Sequence, residues 1–158
     1  ADGTTGGLPR YDQPGAILSK ALGAPLSPPV NSLSSAPQSF AQAPYLSPLS
    51  EMASTGYLYV PEPCRTAGAK CRIHVVFHGC SQASAYVRDS VYGKLGYNGW
   101  ADSNRIVVLY PQVEKNALAG NPLGCWDWWG YTGPFATRYG PQTRSVQAMI
   151  VRLAQSGS

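Results

Sequence analysis

The chain has 158 residues, 44% of them hydrophobic, with 17 Gly and 14 Pro, which fits one domain with a real core and many turns and excludes a disordered or fibrous chain. Only 13% of residues are charged, and the net charge of +4 reflects scarce acids, not clustered bases. A nucleic-acid footprint and a polybasic membrane patch are therefore both absent, and the longest apolar runs are strand-sized, too short to span a bilayer.

Residues 1–50 hold eight Pro, eight Ser and four charges, Asp2, Arg10, Asp12 and Lys20. One helix is expected there, with Pro14 in its first turn, Ile17, Leu18 and Leu22 as apolar positions and Gly23 at its end. Residues 25–48 read as an irregular segment that wraps the domain, held by Phe40, Tyr45 and Leu46. From residue 51 to 158 the pattern is that of a folded α/β unit. Residues 57–60 (Tyr-Leu-Tyr-Val) read as a strand stopped by Pro61, and residues 72–77 as a second. The turn-rich connection between them predicts an antiparallel hairpin at a sheet edge. Residues 81–95 read as a helix with Ser81 as N-cap and Ala85, Val87, Val91 and Leu95 as its apolar positions. One more helical turn is expected over 100–104. Residues 105–110 carry Ile106, Val107, Val108 and Leu109, the continuous apolar run of a strand buried inside a parallel sheet. Residues 113–138 form a long loop rich in Gly, Asn, Pro and aromatics. A closing amphipathic helix over 142–155 places Val146, Met149, Ile150 and Leu153 on one face.

This order predicts an α/β fold with a mostly parallel sheet and an N-terminal hairpin. The long loop and the turn His78-Gly79-Cys80-Ser81 both follow the carboxyl ends of strands, where open α/β sheets place ligands. The aromatic set of ten Tyr and four Trp against three Phe suits a wet binding surface, and with the even cysteine count it suggests a secreted protein.

Four cysteines, Cys64, Cys71, Cys80 and Cys125, allow three pairings. Cys64 and Cys71 flank a short turn and can pair locally, which leaves Cys80 with Cys125. The rival is a zinc site with His74 or His78, but the paired C-x-x-C form of structural zinc sites is missing, so no metal and no cofactor is expected. His74 and His78 are the only histidines and lie i and i+4 on one strand. His74 reads as a buried, hydrogen-bonded strand residue. His78 opens the turn and either orients it or acts as a base.

Gly79-Cys80-Ser81-Gln82-Ala83 approximates G-x-S-x-G between a strand and a helix, but no histidine follows Ser81 to complete the order Ser, acid, His. The turn's other use is an oxyanion hole, in which the Cys80 backbone N–H, supported by His78 and Gly79, faces developing negative charge.

Val76-Phe77-His78-Gly79-Cys80-Ser81-Gln82, Gly96-Tyr97-Asn98 with Trp100-Ala101-Asp102 and Asn104, Val108-Leu109-Tyr110-Pro111-Gln112, and Asn121-Pro122 with Gly124-Cys125-Trp126-Asp127-Trp128 together resemble extracellular polyhydroxybutyrate (PHB) depolymerases. Thr55-Gly56-Tyr57-Leu58-Tyr59-Val60-Pro61 resembles the same family. The resemblance implies an α/β-hydrolase fold of the circularly permuted type, with this chain as the C-terminal half of the catalytic domain. It implies a secreted serine esterase cutting poly(3-hydroxybutyrate), with Cys80 N–H as one oxyanion donor and Cys64–Cys71 and Cys80–Cys125 as disulfides. Trp126, Trp128 and Trp129 would lie near the polyester groove, each reading equally well as core, and Asp127 reads as a loop-fixing acceptor. The Ser-Asp-His triad would lie on the N-terminal half, as a separate chain. A feruloyl or acetyl esterase of the same fold and a non-catalytic polymer-binding module are the other readings.

Overall fold

The computed structural model describes residues 11–156. The first helix, α1 (Gln13–Leu22), begins where Asp12 accepts the Gly15 N–H at 3.0 Å, and it ends at Gly23. The other Asp12 carboxylate oxygen accepts the Trp100 indole N–H at 2.9 Å, which seats the helix on the body of the protein. Strands β1 (Gln38–Ala41), β2 (Thr55–Tyr59) and β3 (Arg72–Val75) follow. Three short helices, α2 (Ser84–Val87), α3 (Ser90–Lys94) and α4 (Tyr97–Ser103), lead to β4 (Ile106–Tyr110). The closing helix is α5 (Pro141–Ser156).

The four strands form one sheet in the order β1-β2-β4-β3. Every residue of β4 is buried, so it occupies an interior position, with β2 antiparallel on one side and β3 parallel on the other. Its side chains alternate between two cores. Ile106, Val108 and Tyr110 join Leu18, Tyr59, Val91, Tyr97 and Ala101 under α1, α3 and α4. Leu109 joins Met52, Val113, Val146 and Met149 under α5. Helices therefore cover both faces, the layering of an α/β protein.

Four expectations are corrected. The sheet is mixed, not mostly parallel, since only β3 and β4 run parallel while β1–β2 and β2–β4 are antiparallel. The hairpin between residues 57–60 and 72–77 does not form, because β4 lies between those strands. The wholly apolar β4 buries more surface between two neighbours than at an edge, and the connection from β2 crosses to its far side. The antiparallel partner at the outer side of β2 is β1, in the segment read as irregular. The helix over 81–95 is also broken. Ser81 (φ 56°) and Arg88 (φ 54°) take left-handed backbone angles, and Ala83 occupies the N-cap of α2. Val91 is buried but Ala85 and Leu95 are exposed, so no continuous apolar stripe holds one helix together. α1, α4, β4 and α5 form close to their expected places.

Candidate active site

β3 and β4 are parallel, so the segments that follow them emerge at the same end of the sheet. After β3, Val76 continues the ladder by donating its N–H to Leu109 O at 2.9 Å, and the chain then turns at His78. The His78 ring is buried and uses both nitrogens. The main-chain N–H of Val113 donates to Nε2 at 3.1 Å. Nε2 must therefore carry a lone pair, Nδ1 carries the hydrogen, and it donates to Gly79 O at 2.8 Å. Burial lowers the His78 pKa below the ordinary histidine value, against the smaller raising effect of the Gly79 hydrogen bond, so the ring is neutral near pH 7. His74 is half-buried against Tyr97, ring centroids 5.3 Å apart, and burial lowers its pKa too.

The turn is closed by Gln82, whose N–H donates to Gly79 O at 3.1 Å and whose side-chain Oε1 accepts the Gly79 N–H at 2.9 Å. Cys80 is exposed, and its N–H donates to none of the described residues. Ser81 donates its N–H to Leu123 O at 2.8 Å.

The long loop after β4 carries Cys125, which is disulfide-bonded to Cys80 with Cα atoms 4.2 Å apart. Cys64 and Cys71 form the other disulfide, beside β3. The thiols are thus accounted for, and no cluster of potential metal ligands occurs among the described residues. Asn121 clasps the loop from within: its Oδ1 accepts the Cys125 N–H at 2.8 Å and its Nδ2 donates to Cys125 O at 3.0 Å. Gly124 has φ 60°, and a Cβ there would lie 3.2 Å from the Lys115 nitrogen, so another residue would be both strained and crowded.

Asp127 shapes the next turn. Its carboxylate accepts the N–H groups of Trp129, Gly130, Tyr131 and Thr132 and the Thr132 hydroxyl, at 2.6–3.2 Å. Burial alone would raise its pKa, but the Thr132 side chain and the backbone donors outweigh that and lower it, so it is a carboxylate at neutral pH. Gln142, at the start of α5, accepts the Asp127 N–H at 2.8 Å and donates to Tyr131 Oη at 2.7 Å, fixing the loop to the helix.

The three site tryptophans do not share one groove. Trp128 and Trp129 are 70% and 41% exposed and stack edge to face at 5.1 Å. They line a hollow of about 260 Å³ with Cys80, Pro122, Leu123 and Cys125. Trp126 packs edge-on against Phe77 at 4.8 Å and beside His78. It lines a separate, larger cavity of about 510 Å³ with Phe135, Val146 and Ile150, which Cys80 does not reach. The sequence reading missed Val113, Leu123 and Gln82 as parts of the turn. Gln82 stands two residues after the His-Gly-Cys motif, whereas the roles of Val113 and Leu123 depend on contacts no local pattern carries.

No described serine hydroxyl, that of Ser81 included, is hydrogen-bonded to a histidine among the described residues. The chain is an α/β protein in which a backbone amide with no acceptor among the described residues stands beyond the carboxyl ends of β3 and β4, beside a disulfide-tied aromatic loop.

Comparison with known proteins narrows that class. No protein-family profile matches the chain. It is 44% identical over 105 residues to a poly(3-hydroxybutyrate) depolymerase of Delftia acidovorans, covering 65% of this chain and 20% of that one. It is 36% identical over 139 residues to a polyhydroxybutyrate depolymerase of Talaromyces funiculosus, covering 82% and 41%. The crystal structure of a PHB depolymerase from Penicillium funiculosum superimposes with a TM-score of 0.78 at 35% identity, over 92% of this chain and 48% of that one. A serine-to-alanine PHB depolymerase complexed with an R3HB trimer matches with the same TM-score and identity. The chain is a homologue of the PHB depolymerases, and it spans less than half the length of the relatives it matches.

Proposed function

We propose that this chain is the oxyanion-hole and substrate-groove part of a secreted serine esterase of the α/β-hydrolase type that hydrolyses poly(3-hydroxybutyrate) ester bonds. The observation that carries the proposal is the Cys80 N–H: exposed, without an acceptor among the described residues, and beside the Trp128–Trp129 hollow. A backbone donor held in a rigid turn stabilises the oxyanion of a tetrahedral intermediate without reorganising as the charge forms. The serine that attacks the carbonyl, with its histidine and acid, belongs to a segment other than residues 11–156. That segment is the chain's partner in the site. Acyl transfer to this serine releases the alcohol end of the polymer, and water then frees the acid. Two disulfides support an oxidising, extracellular setting. No helix of the described residues is long and apolar enough to cross a membrane.

The test is to purify the protein in the form in which it occurs and treat it with a fluorophosphonate probe. The expected result is one labelled serine, clearing of a PHB suspension, and loss of clearing after labelling. Hydrolysis of aryl acetates or feruloyl esters with no effect on PHB would replace the substrate. Adsorption to polymer with no labelled serine would favour a binding module, a reading to which the exposed Trp128 and Trp129 also lend themselves.

A further inference from the structure

Resting on the esterase reading, we infer that His78 and Gln82 are the positioning residues of the oxyanion donor, the Gln82 side chain holding the His78–Gly79 peptide and His78 with the Gln82 main chain holding the next, the Gly79–Cys80 peptide plane. That plane has a fixed geometry: the peptide is trans, so the Gly79 C=O and the Cys80 N–H point in opposite directions. Whatever holds the carbonyl therefore aims the N–H. The Gly79 carbonyl is held twice, by His78 Nδ1–H at 2.8 Å and by the Gln82 main-chain N–H at 3.1 Å. The neighbouring Gly79 N–H is held by Gln82 Oε1 at 2.9 Å. His78 is itself fixed from outside the turn by the Val113 N–H, 35 residues away. The plane is thus referenced to the end of β4, not only to its own turn. A Cβ at Gly79 would lie 2.7 Å from Gln82 Oε1, so the glycine leaves room for this acceptor.

Neither side chain touches the reacting atoms in this arrangement. Their loss should turn the donor away from the oxyanion while leaving substrate binding intact, so the cost falls on kcat. Gln82 is exposed, which lets it be changed without emptying the core.

The test uses the complete enzyme with turnover counted per fluorophosphonate-titrated site. Gln82→Met keeps the volume and removes the acceptor, and Gln82→Glu keeps an acceptor. For Gln82→Met we expect kcat to fall about tenfold with KM within twofold, part of the 10²–10³ lost when a donor is removed outright. Affinity for an alkylboronic acid, whose tetrahedral adduct places an oxygen at the same donor, should fall by a similar factor. Gln82→Glu should retain most of both. His78→Asn, which can keep a donor near the Nδ1 position, should exceed His78→Gln in kcat. Unchanged kcat and boronate affinity in Gln82→Met, with an active and labelled wild type, overturns this inference alone. A wild type with no labelled serine overturns the esterase reading and this inference with it.

Discussion

Ser81 donates its main-chain N–H to the carbonyl of Leu123 at 2.8 Å, immediately beside the disulfide that joins Cys80 to Cys125. Turn and loop are therefore tied twice, once covalently and once by the backbone. The covalent tie closes a sequence separation of 45 residues, so it constrains the unfolded chain strongly. Replacing both cysteines by alanine should cost about 2–4 kcal/mol of stability in denaturant unfolding. Because the Ser81–Leu123 bond survives, turnover should fall about tenfold with KM little changed, rather than vanish. An unaltered kcat in the folded double variant would detach this disulfide from catalysis.

Buried neutral, His78 links stability to pH. Burial lowers its folded pKa, so the unfolded chain takes up the proton first as pH falls. The stability it supports is complete above the unfolded value of about 6.5 and declines as pH drops from there toward the folded value. His74, lowered in the same direction, adds to the slope. Melting temperature should therefore fall between pH 7.5 and 5.5, and His78→Asn should flatten that fall without abolishing it. An equal slope in wild type and variant would show that His78 is not the titrating group.

Asp127 gathers four backbone N–H groups and one hydroxyl around a single carboxylate. Asp127→Asn places an amide NH₂ against some of those donors. The expected loss is about 2 kcal/mol, on the scale of charged hydrogen bonds, with the Trp128 and Trp129 fluorescence shifting as the turn loosens. In the wild type, this carboxylate's contribution is present above its unfolded pKa of about 3.9 and fades as pH falls through the lower folded value. An Asp127→Asn protein as stable as wild type at pH 7 would contradict the structural role.

Trp128 and Trp129 expose a broad aromatic surface beside Cys80. Trp128→Ala should weaken adsorption to a PHB film about three- to tenfold, the scale of one well-placed aromatic contact, while hydrolysis of a short soluble ester stays within twofold. Trp126→Ala should behave differently. Its ring packs between Phe77 and the His78 turn, so stability should drop before adsorption does. Binding isotherms on film, set beside thermal melts, separate the two.

Local signals carried a good part of this molecule. The run Ile106–Tyr110 announced a buried strand because four consecutive aliphatic side chains need cover on both faces. Pro14 and Gly23 bracketed α1, and the spacing of Val146, Met149 and Ile150 marked α5. The His-Gly-Cys turn was legible from its residue types between a strand and a helical pattern. What tertiary structure decided was partnership. β1, with the polar sequence Gln-Ser-Phe-Ala, is a strand because β2 offers it an edge, not because of its own propensity. β2 and β3 were separated because β4 gains most burial between them. His78 meets Val113 only because two loops far apart in the chain leave the same end of one sheet. Propensity and periodicity act over a few residues, whereas pairing, burial and the direction of a peptide plane are set by contacts that sequence neighbours do not share.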